Sequence, residues 1–188
     1  MSKNIAIFAS GSGSNAQNII EYFKTSNLFR FPLILSNKSD AYVHQRADLL
    51  GVPSFTFSKE SFNEGSAVLK TLEENEIDYI VLAGFLLRIP DVLVHRYADK
   101  IINIHPSLLP KYGGKGMYGD KVHHAVKDAG DSESGITIHY INEHYDEGNI
   151  IAQYTCEISN EDTAESIAAK VHKLEYAYYP KVIEQIWG

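Results

Sequence analysis

The sequence predicts an α/β protein: one domain built on a doubly wound, mostly parallel open sheet of about seven strands, with helices on both faces. Two observations point there. Through the first hundred or so residues, short β-branched or aromatic runs alternate with longer amphipathic stretches. A glycine-rich turn also follows directly on the first run and opens a helical pattern. The 188 residues are 44% hydrophobic, 11% aromatic and 22% charged, the balance of a chain able to bury a core without a metal or disulfide to staple it.

The expected strands of the first half are Asn4–Ala9, Phe31–Ser36, Ser54–Phe57, Tyr79–Ala83 and Ile101–Ile104. Helical stretches lie between them at Ala16–Thr25, Ala41–Leu50, Phe62–Asn75 and Pro90–Tyr97. Strand, helix, strand in repeated order requires parallel pairing with right-handed crossovers. The rhythm then changes, because Pro106–Gly119 holds two prolines and four glycines and cannot be regular over most of its length. A helix near Lys121–Ala129 follows, then strands Gly135–Ile141 and Asn149–Glu157 joined by Asn142–Gly148. The last helix starts at Asp162, where Asp-Thr-Ala-Glu offers two carboxylates to the free amides of a first turn, and Pro180 should kink or divide it. No repeat or linker interrupts the chain, so 1–188 reads as one domain with halves of about 1–100 and 101–188.

Charge narrows the partners. Seventeen basic against 24 acidic side chains give −7, and no run of Lys or Arg exists to track a nucleic acid backbone. The apolar run at the N-terminus breaks into glycines too early for a signal peptide or a membrane span. The single cysteine, Cys156, agrees with a reducing cytoplasm. Small molecules are therefore the expected partners, without nucleic acid or membrane.

Three constellations carry chemistry. In Ser10-Gly11-Ser12-Gly13-Ser14-Asn15-Ala16, glycines allow close backbone approach, and the amides of a helix start present partial positive charge to a phosphate. The dinucleotide alternative is weakened by Ser36-Asn37-Lys38-Ser39, which stands where a ribose-binding acid belongs. Asn103-Ile104-His105-Pro106-Ser107 closes the fifth strand, and strand alternation delivers Asn103 and His105 to one side. Carboxamide and imidazole are donors suited to a developing oxyanion, and the imidazole can also pass a proton. The turn Tyr145-Asp146-Glu147-Gly148 supplies a carboxylate that would favour charged His105, with Asp146 and Glu147 both open as the inward-facing acid. No serine elbow and no Cys–His pair suggests a covalent acyl-enzyme. The eight histidines show no zinc-ligand spacing, His139 reads as a partly buried strand residue, and His44, His95 and His172 read as helix-surface positions.

With these residues in view, the chain resembles the folate-dependent phosphoribosylglycinamide formyltransferases of purine synthesis. The resemblance is carried by Ala9 to Asn15, Leu35-Ser36-Asn37-Lys38, Leu82-Ala83-Gly84-Phe85, Asn103 to Tyr112, and Asp146-Glu147-Gly148, in family order from Asn4 to about Trp187. It implies the formyltransferase fold and transfer of a formyl group from 10-formyltetrahydrofolate, as co-substrate and without a metal, to the amine of glycinamide ribonucleotide. It also implies a monomer or homodimer. Catalysis would fall to Asn103, His105 and Asp146. Gly11, Ser12, Gly13, Ser14, Asn15, Pro106 and Glu175 would hold the substrate's phosphate and ribose. Phe85, Leu86, Leu87, Arg88, Ile89, Ile141, Tyr145 and Asp146 would line the folate site.

Two departures from the family pattern stand out. Gly84-Phe85-Leu86-Leu87-Arg88-Ile89 puts its arginine one position from the family arginine, and Gly113–Gly119 lengthens the loop, which reads as a more mobile lid. His123 is the nearest counterpart of a histidine that many relatives carry beyond that loop. The competing readings are a formyltetrahydrofolate hydrolase or another formyltransferase of the superfamily, and a non-enzymatic phosphate-binding module. A tRNA-directed relative would carry an additional RNA-binding domain, for which the chain beyond its last helix leaves no room.

Overall fold

The computed structural model describes residues 2–188, in two compact units that divide between Ile102 and Asn103. Its elements run β1 (Lys3–Phe8), α1 (Ser14–Tyr22), β2 (Phe29–Ser36), α2 (Val43–Leu50), β3 (Ser54–Thr56), α3 (Lys59–Glu64), α4 (Ser66–Glu74), β4 (Tyr79–Leu82), α5 (Asp91–Arg96), β5 (Ile101–His105), α6 (Asp120–Ala129), β6 (Glu133–Tyr140), β7 (Ile150–Glu157) and α7 (Ala164–Trp187). The strands form a mixed, mostly parallel sheet in the order β3-β2-β1-β4-β5-β6-β7. The α/β class, the strand count and the parallel pairing are as the sequence predicts.

In the first unit β1 lies between β2 and β4, parallel to both. Ile5, Ala6, Ile7 and Phe8 are fully buried, which is why this segment reads as a continuous apolar run rather than an alternating one. The chain builds β2 and β3 on one side of β1 and returns to place β4 on the other. The order reverses at β1 and β4, and the carboxyl ends of strands at such a reversal are the usual ligand position in these sheets.

One expected helix of this unit is two. Instead of Phe62–Asn75, α3 begins at Lys59, capped by Ser58, whose hydroxyl accepts from Ser61 N at 3.1 Å. Gly65, at φ +79, ends α3 and starts α4. A side chain there would bring Cβ within 2.4 Å of Val92 Cγ1. The break lets both short helices face the core, with Phe62 on one and Val68 and Leu72 on the other. Phe62 stacks on Phe57 with ring centroids 4.6 Å apart and meets Phe8 and Phe85 edge-on.

In the second unit β6 and β7 pair antiparallel, and α7 packs against both strands and against α6. Of the two outcomes expected at Pro180, a kink or a division, division does not occur: α7 runs unbroken through it. An interior proline costs a helix about 3 kcal/mol through the lost N–H and the ring clash. Val182, Ile183 and Trp187, all beyond it, are buried, and at roughly 1.5–3 kcal/mol each their burial outweighs that cost. The helix start is also shifted from the expected one. Thr163 and Ser166 exchange the reciprocal bonds of a capping box: Ser166 N donates to Thr163 Oγ1 at 3.2 Å and Thr163 N to Ser166 Oγ at 3.0 Å. Asp162 instead accepts from Lys170 Nζ, Ser159 N and Ser166 Oγ, which holds its carboxyl well below the usual range, the lysine contributing most.

Candidate active site

β5 delivers Asn103 and His105 two residues apart, and His105 is 4% exposed. Its Nε2 lies 2.7 Å from the carbonyl oxygen of Tyr112. A carbonyl can only accept, so the ring carries a proton on Nε2. Nδ1 faces Asp146 Oδ2 at 3.6 Å. Asp146 is held in the left-handed region at φ +55, a conformation that Asp tolerates better than most residues. Its Oδ2 also accepts from Gly114 N at 2.8 Å. Glu147 is exposed, so the inward acid of this turn is Asp146. The long loop thus begins tethered, Tyr112 through its carbonyl to His105 and Gly114 through its amide to Asp146.

A further side chain joins them. His139, on β6, is fully buried rather than partly so. Its Nδ1 lies 2.9 Å from Tyr140 O and must carry the proton there. Its Nε2 therefore offers a lone pair, which accepts from Asn103 Nδ2 at 3.2 Å and lies 3.7 Å from Asp146 Oδ1. Burial pushes the His139 imidazole down, with the Tyr140 carbonyl and Asp146 opposing and His105 adding to the effect, so the neutral form fits the tautomer. The bond settles which way the Asn103 amide faces and leaves its second N–H as a donor. One sequence signal could have revealed His139. Thr137 and His139 are polar side chains two apart on the same face of a strand that is otherwise apolar from Ile136 to Ile138. Thr137 is fully buried too, donating to Ser107 O at 2.7 Å and accepting from Leu109 N at 2.9 Å, which braces the start of the loop after β5.

Glu175, on α7, is 5% exposed and lies 2.9 Å from Nδ1 of exposed His172, which raises the His172 pKa. The His123 ring is 6.4 Å from that of His172, and its pKa is lowered chiefly by burial. Pro106 and Ile141 are half-buried, and Tyr145 is exposed.

In the first unit, Gly11–Asn15 forms the turn from β1 into α1, with Gly13 at φ +72 on the helix cap. Asn15 is buried and Ser12 exposed. After β4, the Phe85 ring is committed to the aromatic cluster, 5.4 Å from Phe8 and 5.2 Å from Phe62. Leu86 is exposed, Leu87 half-buried and Ile89 buried, while Arg88 pairs with Asp91 on the surface. Leu86 N donates to Ser10 Oγ at 3.0 Å, and that hydroxyl donates to Asn37 Oδ1 at 2.6 Å, so buried Ser10 ties together the ends of β1, β2 and β4. His44 is more than a surface residue, because Nδ1 bonds Ser54 Oγ at 2.9 Å and Nε2 lies 3.1 Å from Lys38 O.

Among the described residues, no group of three or more His, Cys, Asp or Glu could hold a metal ion. No helix among them is long and apolar enough to cross a membrane.

A family model described as formyl transferase matches residues 3–183. The chain is 41% identical, over 99% of its length and 95% of the relative's, to phosphoribosylglycinamide formyltransferase of Bacillus subtilis. It is 37% identical to the enzyme of that name from Haemophilus influenzae, over 97% of this chain and 86% of the relative. The crystal structure of glycinamide ribonucleotide transformylase 1 from Geobacillus kaustophilus superposes with a TM-score of 0.91 at 36% identity, covering 100% of both chains.

Proposed function

Because this chain belongs to the formyl transferase family, we propose that it moves the formyl group of 10-formyltetrahydrofolate to the amine of glycinamide ribonucleotide, a step of purine synthesis. The observation that carries the reading is the meeting of Asn103, His105 and Asp146 through His139 and the loop start, within a chain collinear with relatives of that name.

In this reaction the amine nitrogen attacks the formyl carbon, a C–N bond forms, and the carbonyl electron pair moves onto oxygen. The free N–H of Asn103 and the Nε2–H of His105 donate to that oxyanion. To do so His105 exchanges one acceptor for another, the formyl oxygen replacing the Tyr112 carbonyl. Asp146 faces Nδ1, so a proton arriving there lies against a carboxylate, and the ring keeps its orientation while charge develops. Collapse of the tetrahedral species breaks the bond to the folate nitrogen, which takes up the proton that the attacking amine gives away. No covalent enzyme intermediate is needed.

In the first unit, Gly11, Ser12, Gly13, Ser14 and Asn15 are assigned to the substrate phosphate; in the second, Pro106 and Glu175 are assigned to ribose recognition. In the first unit Phe85 to Ile89 are assigned to folate binding, Phe85 through its backbone because its ring is in the core; in the second, Ile141, Tyr145 and Asp146 are. The reading carries with it a cytoplasmic location, small-molecule partners only, and a monomer or homodimer.

The test is incubation with labelled formyl-folate, with and without glycinamide ribonucleotide. Label in the amide product, dependent on the amine, is the expected result. Release of formate at the same rate without amine would instead identify a hydrolase, and binding without turnover a phosphate-binding module.

A further inference from the structure

The anion cradle of the first unit has a backbone problem that its own residues do not solve. A loop that receives a phosphate must point its N–H groups inward and its carbonyl oxygens away, since an inward carbonyl repels the anion. Gly11 and Gly13 flank Ser12, and glycine resists peptide rotation least of all residues. Something outside the loop must therefore hold the carbonyls.

Three consecutive carbonyls are held. Gly11 O accepts from Val43 N at 3.1 Å, Ser12 O from Arg46 Nε at 2.8 Å, and Gly13 O from Gln17 N at 2.9 Å. The first two donors belong to α2, which packs so closely that a Cβ on Gly13 would stand 2.4 Å from Val43 Cγ2. The bond from Gln17 is the first of α1 and the one from Val43 is main chain, so the middle carbonyl alone depends on a side chain. Arg46 also reaches Gln17 Oε1 through Nη1, and its guanidinium lies 5.1 Å from the centre of the Tyr42 ring. The fork is thereby fixed in direction, in a way that a single ammonium could not reproduce.

We infer that Arg46 is a positioning residue for the phosphate subsite, clamping the Ser12 peptide with its oxygen turned outward and setting a fixed positive charge behind the loop. The inference rests on the reading of Gly11–Asn15 as the phosphate cradle and adds the residue that keeps it in binding shape. Arg46 touches no reacting atom, so its loss acts on affinity for the phosphorylated substrate and not on the chemical step.

The experiment compares the wild-type chain with Arg46→Gln and Arg46→Lys. It measures kcat, KM for glycinamide ribonucleotide, KM for formyl-folate, and competition by inorganic phosphate against the amine substrate. Arg46→Gln is expected to raise KM for the ribonucleotide about tenfold and to weaken phosphate competition by a similar factor, the size of one charge-assisted hydrogen bond. Both kcat and KM for the folate stay within about twofold. Arg46→Lys keeps the charge without the fork and falls between. An unchanged ribonucleotide KM overturns the inference, as does an equal loss on both substrates or a fall in kcat accompanied by a lower Tm, which would mark a merely structural residue. Wild-type protein that fails to formylate the ribonucleotide removes the underlying reading as well, whereas active wild-type with an indifferent Arg46→Gln removes the inference alone.

Discussion

Asn103 donates through Nδ2 to Nε2 of His139 at 3.2 Å, and His139 can accept there because its own proton is committed to Tyr140 O. The chain of bonds runs from a backbone carbonyl to the amide proposed to meet the substrate. In His139→Leu the Asn103 amide loses the bond that orients it, and kcat is expected to fall about tenfold, the loss of one aligned donor in part of the population. KM values should move less. Steady-state kinetics check this, and an unaltered kcat would show that Asn103 orients itself without help.

The same histidine makes stability depend on pH. Burial holds its pKa below the ordinary 6.5. Above that value the folded and unfolded chains are both neutral at this site. As pH falls below it, the unfolded chain takes up a proton that the folded chain refuses, so the stabilisation is lost progressively toward the folded pKa. His123, also depressed by burial, acts in the same direction. His172 acts oppositely, being raised by Glu175, so its contribution is full below 6.5 and is lost as pH rises through its folded value; its exposure makes that contribution the weaker one. Urea unfolding should therefore show stability declining between about pH 7 and about pH 5, with a shallower decline in His139→Leu. Equal slopes in the two proteins would refute the assignment to His139.

Asp146→Asn separates charge from shape. Asn tolerates the left-handed backbone at this position as well as Asp does, so Tm should shift by only a few degrees. Turnover should drop by about 100-fold or more, because the ring of His105 no longer faces a negative charge as the oxyanion forms. Near-normal turnover with an intact fold would mean that the carboxylate is there for structure.

Direct removal of a donor, in Asn103→Ala or His105→Ala, should lower kcat by a factor on the order of 100 to 1,000, about 3 kcal/mol or more for each. The circular dichroism spectrum should stay that of the parent. Retention of a tenth of parental activity by His105→Ala would be too much for the role given to it.

Gly148→Ala tests the turn that carries Asp146. An added Cβ would lie 1.7 Å from Tyr140 O and 2.7 Å from its carbonyl carbon, both main-chain atoms that cannot swing aside. The strand ends must part, with an expected loss of about 2 kcal/mol or more in chemical denaturation and a parallel loss of activity. A neutral effect on stability would contradict the close packing of this turn.

Much of this was legible in the sequence because it is local. The apolar run of β1, the glycines after it, and the placing of Asn103 and His105 on one strand all follow from period and turn chemistry. The sequence narrows the acid to Asp146 or Glu147, and the exposure of Glu147 with the contacts of Asp146 to His105 and Gly114 decides between them. What escaped is non-local or main-chain. The polar pair Thr137 and His139 marks β6 locally, but the role of His139 shows only when β6 is set against Asn103, 36 residues earlier. The break at Gly65 was hidden by an apolar pattern that continues in phase across it, while its cause, the nearness of Val92, lies in a later helix. Pro180 does not divide α7 for a related reason, since the local penalty is outweighed by burial beyond it.

The Tyr112 oxygen and the Gly114 amide touch the imidazole and the carboxylate with main-chain groups, the oxygen common to every residue type and the N–H to every type but proline. A systematic replacement of side chains would record at Gly114, held at φ +91, only a backbone cost, and would pass over the peptide groups that complete the polar shell. Insertions, deletions or ester-for-amide replacement at Gly114 would reveal what such a survey overlooks. A redesign that grafted only the Asn, His and Asp onto another scaffold would inherit the letters without these contacts.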